Sequence, residues 1–547
     1  VAILLDTTTK GEYDALTLAS ARASLVVSAL SGTVVVEVYD GLDVLRASGT
    51  MAAPWATSSG ATITVGEVTG LGLLVTSGGA PTAEWYCQFR SGTRFVRGTF
   101  GVAGSGRDFV WSLASFQANS RGTLGTVAIT ATGDGIAPSN LPLLYEANVT
   151  ASGRYLGAFR VPFVQATANA GSDGGAIGFN PAGDEGAGSL FMRINDTPNN
   201  VIEMSIPTPR TGAVSGLNIA ALLQGAADPF EGQIGEVNNN GSSSNVEIMG
   251  LYAEGSHLYS VAANFYDADG RMVASHFRGG INLATAGDVL GAAKVDFTVS
   301  SGWGWTGFST AQIPRWTGGP ICPIPTAWQS SFGGTHLTGI AGLSINSAYS
   351  NGPCAAAFNL ADLTGSGTIQ STLVVGYPYL PGSPPDDGQP LVLDLPAPGQ
   401  SSSQWNRTAR VRGMCFPLGY RSVLFFGKIG TGPFTYGVTG QLDSLGSGLT
   451  IVDPSFNGQG DHAYPYRYKV WAYDANDLAA VKNGTLAPHA VSPYSEWFVD
   501  LPYEDLTGNH SLAAAFDPVA LRLYLQAPGQ DTIGQNPRPV IHVFQVA

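Results

Sequence analysis

From Tyr155 onward the chain repeats itself weakly, and a repeat of a few dozen residues restricts the architectures open to it. The first copy runs Gly175-Ala-Ile-Gly-Phe-Asn-Pro181, then Ser189-Leu-Phe-Met192, then Val201-Ile-Glu-Met-Ser-Ile206. The last runs Ala513-Ala-Ala-Phe-Asp-Pro518, then Arg522-Leu-Tyr-Leu525, then Val540-Ile-His-Val-Phe-Gln-Val546. Each is three short strands with an Asn-Pro or Asp-Pro turn after the first. Looser copies lie between them at Gly250–Ser260, at Gly339–Ile345 with Ala355–Asn359, and at Val411–Pro417 with Ser422–Phe426. One such copy could not bury both faces of its sheet, so neighbouring copies must cover one another. The expected product is a C-terminal β-propeller of about five blades, four strands to a blade, with long insertions; six blades also fit the spacing. The strand Tyr155–Val161 has no partner in its own copy and is expected to join the last one, closing the ring and removing two exposed edges.

Composition agrees with an all-β class. Charged residues are 12% of the chain, against a typical figure of about 25%, which disfavours long solvent-exposed helices. The 72 glycines and 33 prolines serve the turns, and 24 Phe, 20 Tyr and 10 Trp suit pleated, half-buried surfaces. At 547 residues the chain exceeds the roughly 250–300 at which a single core stops growing, so at least two domains are expected.

The first of these is a small β-sandwich-like module over residues 1–133 with one short helix, Glu12–Leu30, ended by Ser31-Gly32. Thr33–Tyr39 is β-branched and precedes Asp40-Gly41, a hairpin signal, with Leu42–Ala47 as the returning strand. Ala83–Arg90 alternates Ala83, Trp85, Cys87 and Phe89 against Glu84, Tyr86, Gln88 and Arg90, the period of a strand with one buried face. Phe95–Phe100, Asp108–Leu113 and Gly125–Thr132 follow as short strands. Residues 134–150, opening with Asp134–Pro142, form a linker, and 151–547 form the propeller.

The net charge of −14 is uneven: residues 1–145 hold eight Lys/Arg against ten Asp/Glu, leaving 18 against 30 for the rest, or −2 and −12. An acidic surface repels phosphate, so neither nucleic acid nor an anionic membrane is an expected partner. No run approaches the roughly 18 apolar residues of a spanning helix, so no membrane insertion is expected. The start, Val1–Asp6, lacks a basic segment and a long apolar run, so synthesis and assembly in a cytoplasm are expected. Cys87, Cys322, Cys354 and Cys415 are scattered with no CxxC pair, which argues against zinc; they are expected as buried thiols, with a Cys322–Cys354 disulfide as the one alternative. No cofactor and no metal is expected.

Two resemblances add to this reading. Residues 1–133, with the short helix, the strand ending in Tyr39-Asp-Gly41 and the later Trp-containing strand, resemble small modules of tailed-phage structural proteins. Most of residues 150–547 resemble an uncharacterised propeller family of phage-derived sequences, through Tyr155–Arg160, Ser422–Gly427, His462-Ala-Tyr-Pro-Tyr466 and Val470–Leu478. The resemblance implies a virion component, with the small module attached to the particle and the propeller projecting as a decoration, fibre or spike. It leaves capsid and tail both open, and it brings no catalytic residue with it. The implied partners are other virion proteins of the capsid or tail and a host cell-surface glycan or protein, and a homo-oligomer on the particle is expected.

Several residue groups carry chemistry worth placing. Trp303, Trp305, Trp316 and Trp328 concentrate four of ten tryptophans in a Gly/Pro-rich insertion, where they either pin the loop or contact a ligand. His462 leads a run of aromatics, Tyr464, Tyr466, Tyr468, Trp471 and Tyr473, that is either blade core or a ligand-facing rim. Arg90, Arg94, Arg97 and Arg107 are the one basic concentration, suited to pairing with carboxylates on a particle surface. Asp267-Ala-Asp269-Gly270 begins like a calcium loop, but the later ligands and the closing Glu are missing, so a hairpin turn is expected. Asp228, Glu231, Glu203 and Glu254 could supply the carboxylate pair of a glycosidase, the basis of the rival reading as a polysaccharide-degrading tail enzyme. No GxSxG, HExxH or P-loop points to other chemistry. A non-enzymatic display and adhesion role is therefore expected.

Overall fold

A computed structural model describes residues 155–547 except 164–174, 195–198, 341, 343–347, 381–388, 391–395, 419, 504–510, 534–536 and 547; before 155 it describes only backbone strands between residues 2 and 131. The chain divides into two compact units, Val1–Pro142 with Tyr420–Ser422, and Leu143–Gly419 with Val423–Ala547.

In the first unit, Val34–Tyr39 pairs antiparallel with Leu45–Met51, a return strand that begins three residues later than the expected Leu42–Ala47, and the Asp40-Gly41 turn lies outside the described residues. Tyr86–Ser91 lies between Val34–Tyr39 and Arg94–Ala103. A second, three-stranded sheet joins Ala23–Val27 to Val127–Ala131 and Thr62–Thr64. The expected helix is corrected here. Within its C-terminal half lies the strand Ala23–Val27, where Val26 and Val27 favour an extended backbone; residues 11–22 and 28–30 lie outside the described residues.

The second unit is built of five four-stranded antiparallel sheets. Sheet I holds Ile177–Asn180, Ser189–Ile194, Asn200–Ser205 and Leu222–Ala227. Sheet II holds Val246–Glu254, His257–Asn264, His276–Gly280 and Leu290–Phe297. Sheet III holds Ile321–Pro323, His336–Gly339, Ala355–Phe358 and Gly367–Val375. Sheet IV holds Arg410–Cys415, Ser422–Gly430, Tyr466–Asp474 and Ser495–Phe498. Sheet V holds Ala513–Asp517, Arg522–Asp531 and Arg538–Gln545, and its fourth strand is Tyr155–Arg160, paired antiparallel with Arg538–Gln545.

The first strands of the five sheets neighbour one another in a closed cycle. Ile177–Asn180 lies against Val246–Glu254, which lies against Ile321–Pro323, then Arg410–Cys415, then Ala513–Asp517, which returns to Ile177–Asn180. Parallel pairings add to two of these junctions: Leu290–Phe297 with Gly367–Val375, and Arg412 with Ala513.

Glycine makes the cycle possible. A Cβ on Gly178 would stand 2.7 Å from the Leu251 carbonyl oxygen of the next sheet, and one on Gly250 2.5 Å from that of Gly319. Both distances are below any real carbon contact, so these inner strands approach closely only because no side chain intervenes. Alanines serve the same packing at Ala355–Ala357 and Ala513–Ala515, all buried.

Larger side chains fill the space between sheets, among them Trp316, Trp405, Trp471, Tyr377 and Phe191, each at most 2% exposed. Three short α-helices, Ile313–Trp316, Thr326–Phe332 and Ala475–Lys482, occur among the described residues, all in insertions outside the strand ladders. Cys322, Cys354 and Cys415 are buried free thiols, so the Cys322–Cys354 disulfide is not formed. The Cys354 thiol instead donates to the Trp316 carbonyl at 3.5 Å.

Candidate recognition site

The strands Thr435–Gly437 and Gly460–His462 pair antiparallel and carry between them a loop over residues 438–459. Its sequence is rich in Gly and Ser, yet its backbone is internally bonded. Gly440 N–H donates to Ile451 O at 2.9 Å, Ile451 N–H to Gln441 O at 2.8 Å and Asp443 N–H to Leu449 O at 2.8 Å. Asp443 is buried and accepts from the amides of Tyr436 (2.8 Å), Leu445 (3.2 Å) and Ser447 (3.0 Å). Burial opposes its charge, but these donors prevail and hold its pKa below the ordinary carboxylate range.

A second carboxylate fixes the base of the loop. Asp453 Oδ1 accepts from the amides of Ser455 and Phe456 and from the Ser455 hydroxyl, at 3.0, 3.1 and 2.7 Å. Its Oδ2 accepts from Tyr466 Oη at 2.6 Å and from His462 Nδ1 at 3.0 Å. His462 Nε2 faces two carbonyls, Gly437 O at 3.1 Å and Gly458 O at 3.2 Å. Both ring nitrogens therefore point at acceptors, which only the imidazolium satisfies. Burial disfavours that charge, but the Asp453 hydrogen bond and the two carbonyls outweigh it and raise the pKa of His462. Phe456 stacks on the ring at 5.1 Å between centroids.

What this base supports is a projecting apolar surface. Leu442 and Val452 are 68% and 70% exposed, and Leu445 and Leu449 about two-fifths exposed. The only charges between residues 438 and 459 are Asp443 and Asp453, both buried, so the loop presents aliphatic groups among uncharged hydroxyls and the amides of Gln441, Asn457 and Gln459. Held aliphatic side chains on a bonded loop can bind a partner surface; no group there can transfer a proton or attack a substrate.

The residues singled out from sequence are placed differently from one another. His462 is 1% exposed and is the post beneath the loop, not a ligand contact. Tyr464 is half-buried, edge-on to Tyr466 at 6.3 Å.

Trp305 and Trp316 are buried, with ring centroids 5.6 Å apart, and Phe308 packs on both. Trp305 Nε1 donates to His489 Nδ1 at 2.9 Å. These two pin the insertion to the core, which leaves Trp303 and Trp328 half-buried. Trp328 is half-buried against Phe332 and Phe416. Arg90, Arg94 and Arg97 fall on strands whose side chains lie outside the described residues, as does Arg107 altogether.

The acidic candidates are all engaged in holding structure. Asp228 caps a turn through the amides of Phe230 (2.9 Å) and Gly232 (2.7 Å), and Glu231 accepts from Gly287 N–H at 2.7 Å. Glu203 is buried and accepts from Asn180 Nδ2, Ser189 Oγ and Gln224 Nε2 at 2.9, 2.5 and 2.5 Å. Glu254 accepts from Tyr252 Oη at 2.8 Å and lies 3.4 Å from His336 Nε2. Asp267 is bound by Arg315 at 2.6 Å and by the amides of Arg271 and Met272. Among the described residues, no group of three or more His, Cys, Asp and Glu side chains is placed to hold a metal ion.

The residues sequence reasoning missed are Leu442, Leu445, Leu449 and Val452. Their signal is an aliphatic residue every three or four positions inside a Gly/Ser segment with no strand alternation.

No family model and no curated relative matches the sequence. A solved luciferin-regenerating enzyme aligns with 73% of this chain and 94% of its own at 8% identity, with a TM-score of 0.28, a likeness too slight to carry any argument about activity.

Proposed function

We propose that this chain is a structural component of a tailed-phage particle, attached through residues 1–133 and displaying a five-bladed β-propeller whose solvent loops contact the host surface. The phage assignment rests on the sequence resemblances. The propeller reading is supported by the closed cycle of five inner strands and by Tyr155–Arg160 completing the last sheet.

One observation favours binding over chemistry. Of the carboxylates a glycosidase would need, Asp228, Glu231 and Glu203 are taken up by turn amides or buried donors, which leaves only Glu254 half exposed, whereas the 438–459 loop carries exposed aliphatic side chains suited to a partner surface. Arg90, Arg94, Arg97 and Arg107 would pair with carboxylates on the particle, where a planar guanidinium can bond two oxygens at once.

The test uses the whole purified chain on host cells. Saturable binding that competes with particle adsorption, with no new reducing ends from host polysaccharide, is the expected result. Cleavage of the polysaccharide would replace this reading with the enzyme.

A further inference from the structure

The Asp267-Ala-Asp269-Gly270 turn, unsuited to calcium, forms one wall of a surface cavity of about 140 Å³. The 238–245 segment, with Asn264 and Tyr266, supplies the rest of its lining. We infer that this cavity is a binding site for a neutral saccharide, one sugar ring in extent; the inference rests on the proposed host-contact role and names a ligand class for it.

The walls are fixed before any ligand arrives. Asn264 Nδ2 donates to Asn238 Oδ1 at 3.0 Å, and Asn238 Nδ2 donates to the Ser242 carbonyl at 2.7 Å. Asn239 N–H donates to Arg271 O at 2.8 Å, tying one wall to the other. The Asp267 side of the cavity is held from behind by the buried Arg315. A site whose groups are already in place loses little entropy on binding.

Charge then narrows the ligand. Asp267 is neutralised by Arg315, and Asp269 by Arg271 at 2.5 Å. Neither carboxylate is left over for a cation, and the one exposed guanidinium is already paired, so an anion gains little. What remains is neutral and polar. Asn264 is 4% exposed, yet its Oδ1 has no hydrogen-bond partner among the described residues. Such a buried acceptor costs on the order of 1–3 kcal/mol unless something bonds it.

The rim supplies the other half of a sugar site. Tyr266 is 55% exposed, a large aromatic ring left in solvent beside amide and hydroxyl groups. A pyranose has the matching surface, with C–H groups on one face and hydroxyls around its edge, so it can lie on the ring while bonding Asn245 and Ser244. The cavity is smaller than the roughly 300 Å³ at which drug-sized sites begin, which limits it to a single ring with any further sugars outside.

Saturation-transfer NMR on the whole chain, with methyl α-glucoside, methyl β-galactoside and N-acetylglucosamine as probes at millimolar concentration, tests this. At least one probe gives signal, unchanged by added calcium or by chelator. Tyr266→Ala weakens it about tenfold, Tyr266→Phe keeps most of it, and Leu442→Ser, on the 438–459 loop outside the cavity lining, leaves it unchanged. Because Tyr266 is more than half exposed, thermal melting of Tyr266→Ala should match the parent chain. Silence from all three probes, or a Tyr266→Ala signal equal to that of the parent, overturns the site. The display role fails on other grounds, by polysaccharide cleavage or by no binding to cells, and neither result depends on these probes.

Discussion

His542, in the seam where Tyr155–Arg160 completes the last sheet, and His462, beneath the 438–459 loop, are equally shielded from solvent, at 0% and 1% exposure. Their charge states are opposite. His542 has one donor and one acceptor beside it: Tyr155 Oη donates to Nδ1 at 2.8 Å, and Nε2–H donates to Gln530 Oε1 at 2.5 Å. A neutral imidazole satisfies both, so burial acts unopposed and pushes the pKa down to about 3. His462 has acceptors on both sides, and its pKa rises. Burial alone does not decide ionisation; the partner set does.

The seam also contains a buried ion cluster. Asp531 Oδ2 accepts from Arg160 Nε and Arg538 at 2.9 Å each, with the carboxylate fully enclosed and both guanidinium side chains no more than 10% exposed. Removing the carboxylate leaves two buried cations facing each other. Asp531→Ala should therefore cost about 3–5 kcal/mol of global stability, read as a large drop in the denaturant midpoint. A loss below about 1 kcal/mol would mean that the seam is held by its backbone ladder alone.

Acid should act on the same seam through His542. Its folded pKa lies far below the ordinary 6.5, so below pH 6.5 the unfolded chain binds a proton that the folded chain refuses. Stability is fully present above 6.5 and should fall by about 1.4 kcal/mol per pH unit below it. His542→Gln should flatten that limb, and an equally steep limb in the variant would assign it to other groups.

The loop base has the reverse sign on its alkaline side. His462 contributes fully below pH 6.5, and the contribution is lost as pH rises through its raised folded pKa. Asp453, whose pKa is lowered against burial by His462, Tyr466 and Ser455, contributes above its ordinary 3.8 and loses that only as pH falls through its folded value. Above neutrality, amide exchange across 438–459, corrected for the intrinsic rate, should accelerate by an amount equivalent to about 1 kcal/mol while the sheets stay protected. His462→Gln should remove the pH dependence; if it persists, the base is not held by the imidazolium.

The smallest stability effect belongs to the loop's tip. Leu442→Ser and Val452→Ser should change the melting free energy by no more than about 0.5 kcal/mol, because both side chains are about 70% exposed. Together they should reduce cell binding by the whole chain. A double variant that binds normally would remove the loop from the contact surface and leave the Tyr266 cavity as the site to test.

Much of the strand pattern was legible beforehand because it is local. Period-two runs such as Arg522-Leu-Tyr-Leu525 and Val540–Val546 form strands where expected, and Tyr155–Val161, lacking a partner nearby, had to find one at the far end. The Glu12–Leu30 helix failed at Ala23–Val27, where the β-branched Val26 and Val27 outweighed the helical spacing of Leu16, Ala19 and Ala23. The tryptophans were legible as a cluster but not in their direction. Trp305 reaches His489 across 184 residues of sequence, a contact that spacing does not encode.

What the sequence determined by itself was the supply of parts: short alternating strands in repeated sets, glycine where inner strands meet, and too few charges for exposed helices. Hydrophobic periodicity and backbone freedom are properties of neighbouring residues, so they can be read along a line. Tertiary structure decided which carboxylates were taken up by amides, which histidine carries a proton, and that Leu442 and Val452 face water while Trp316 does not. Those outcomes depend on groups brought together from distant positions, as Arg160 and Asp531 are across 371 residues, and the energy of a buried polar group is set by whichever partner arrives beside it.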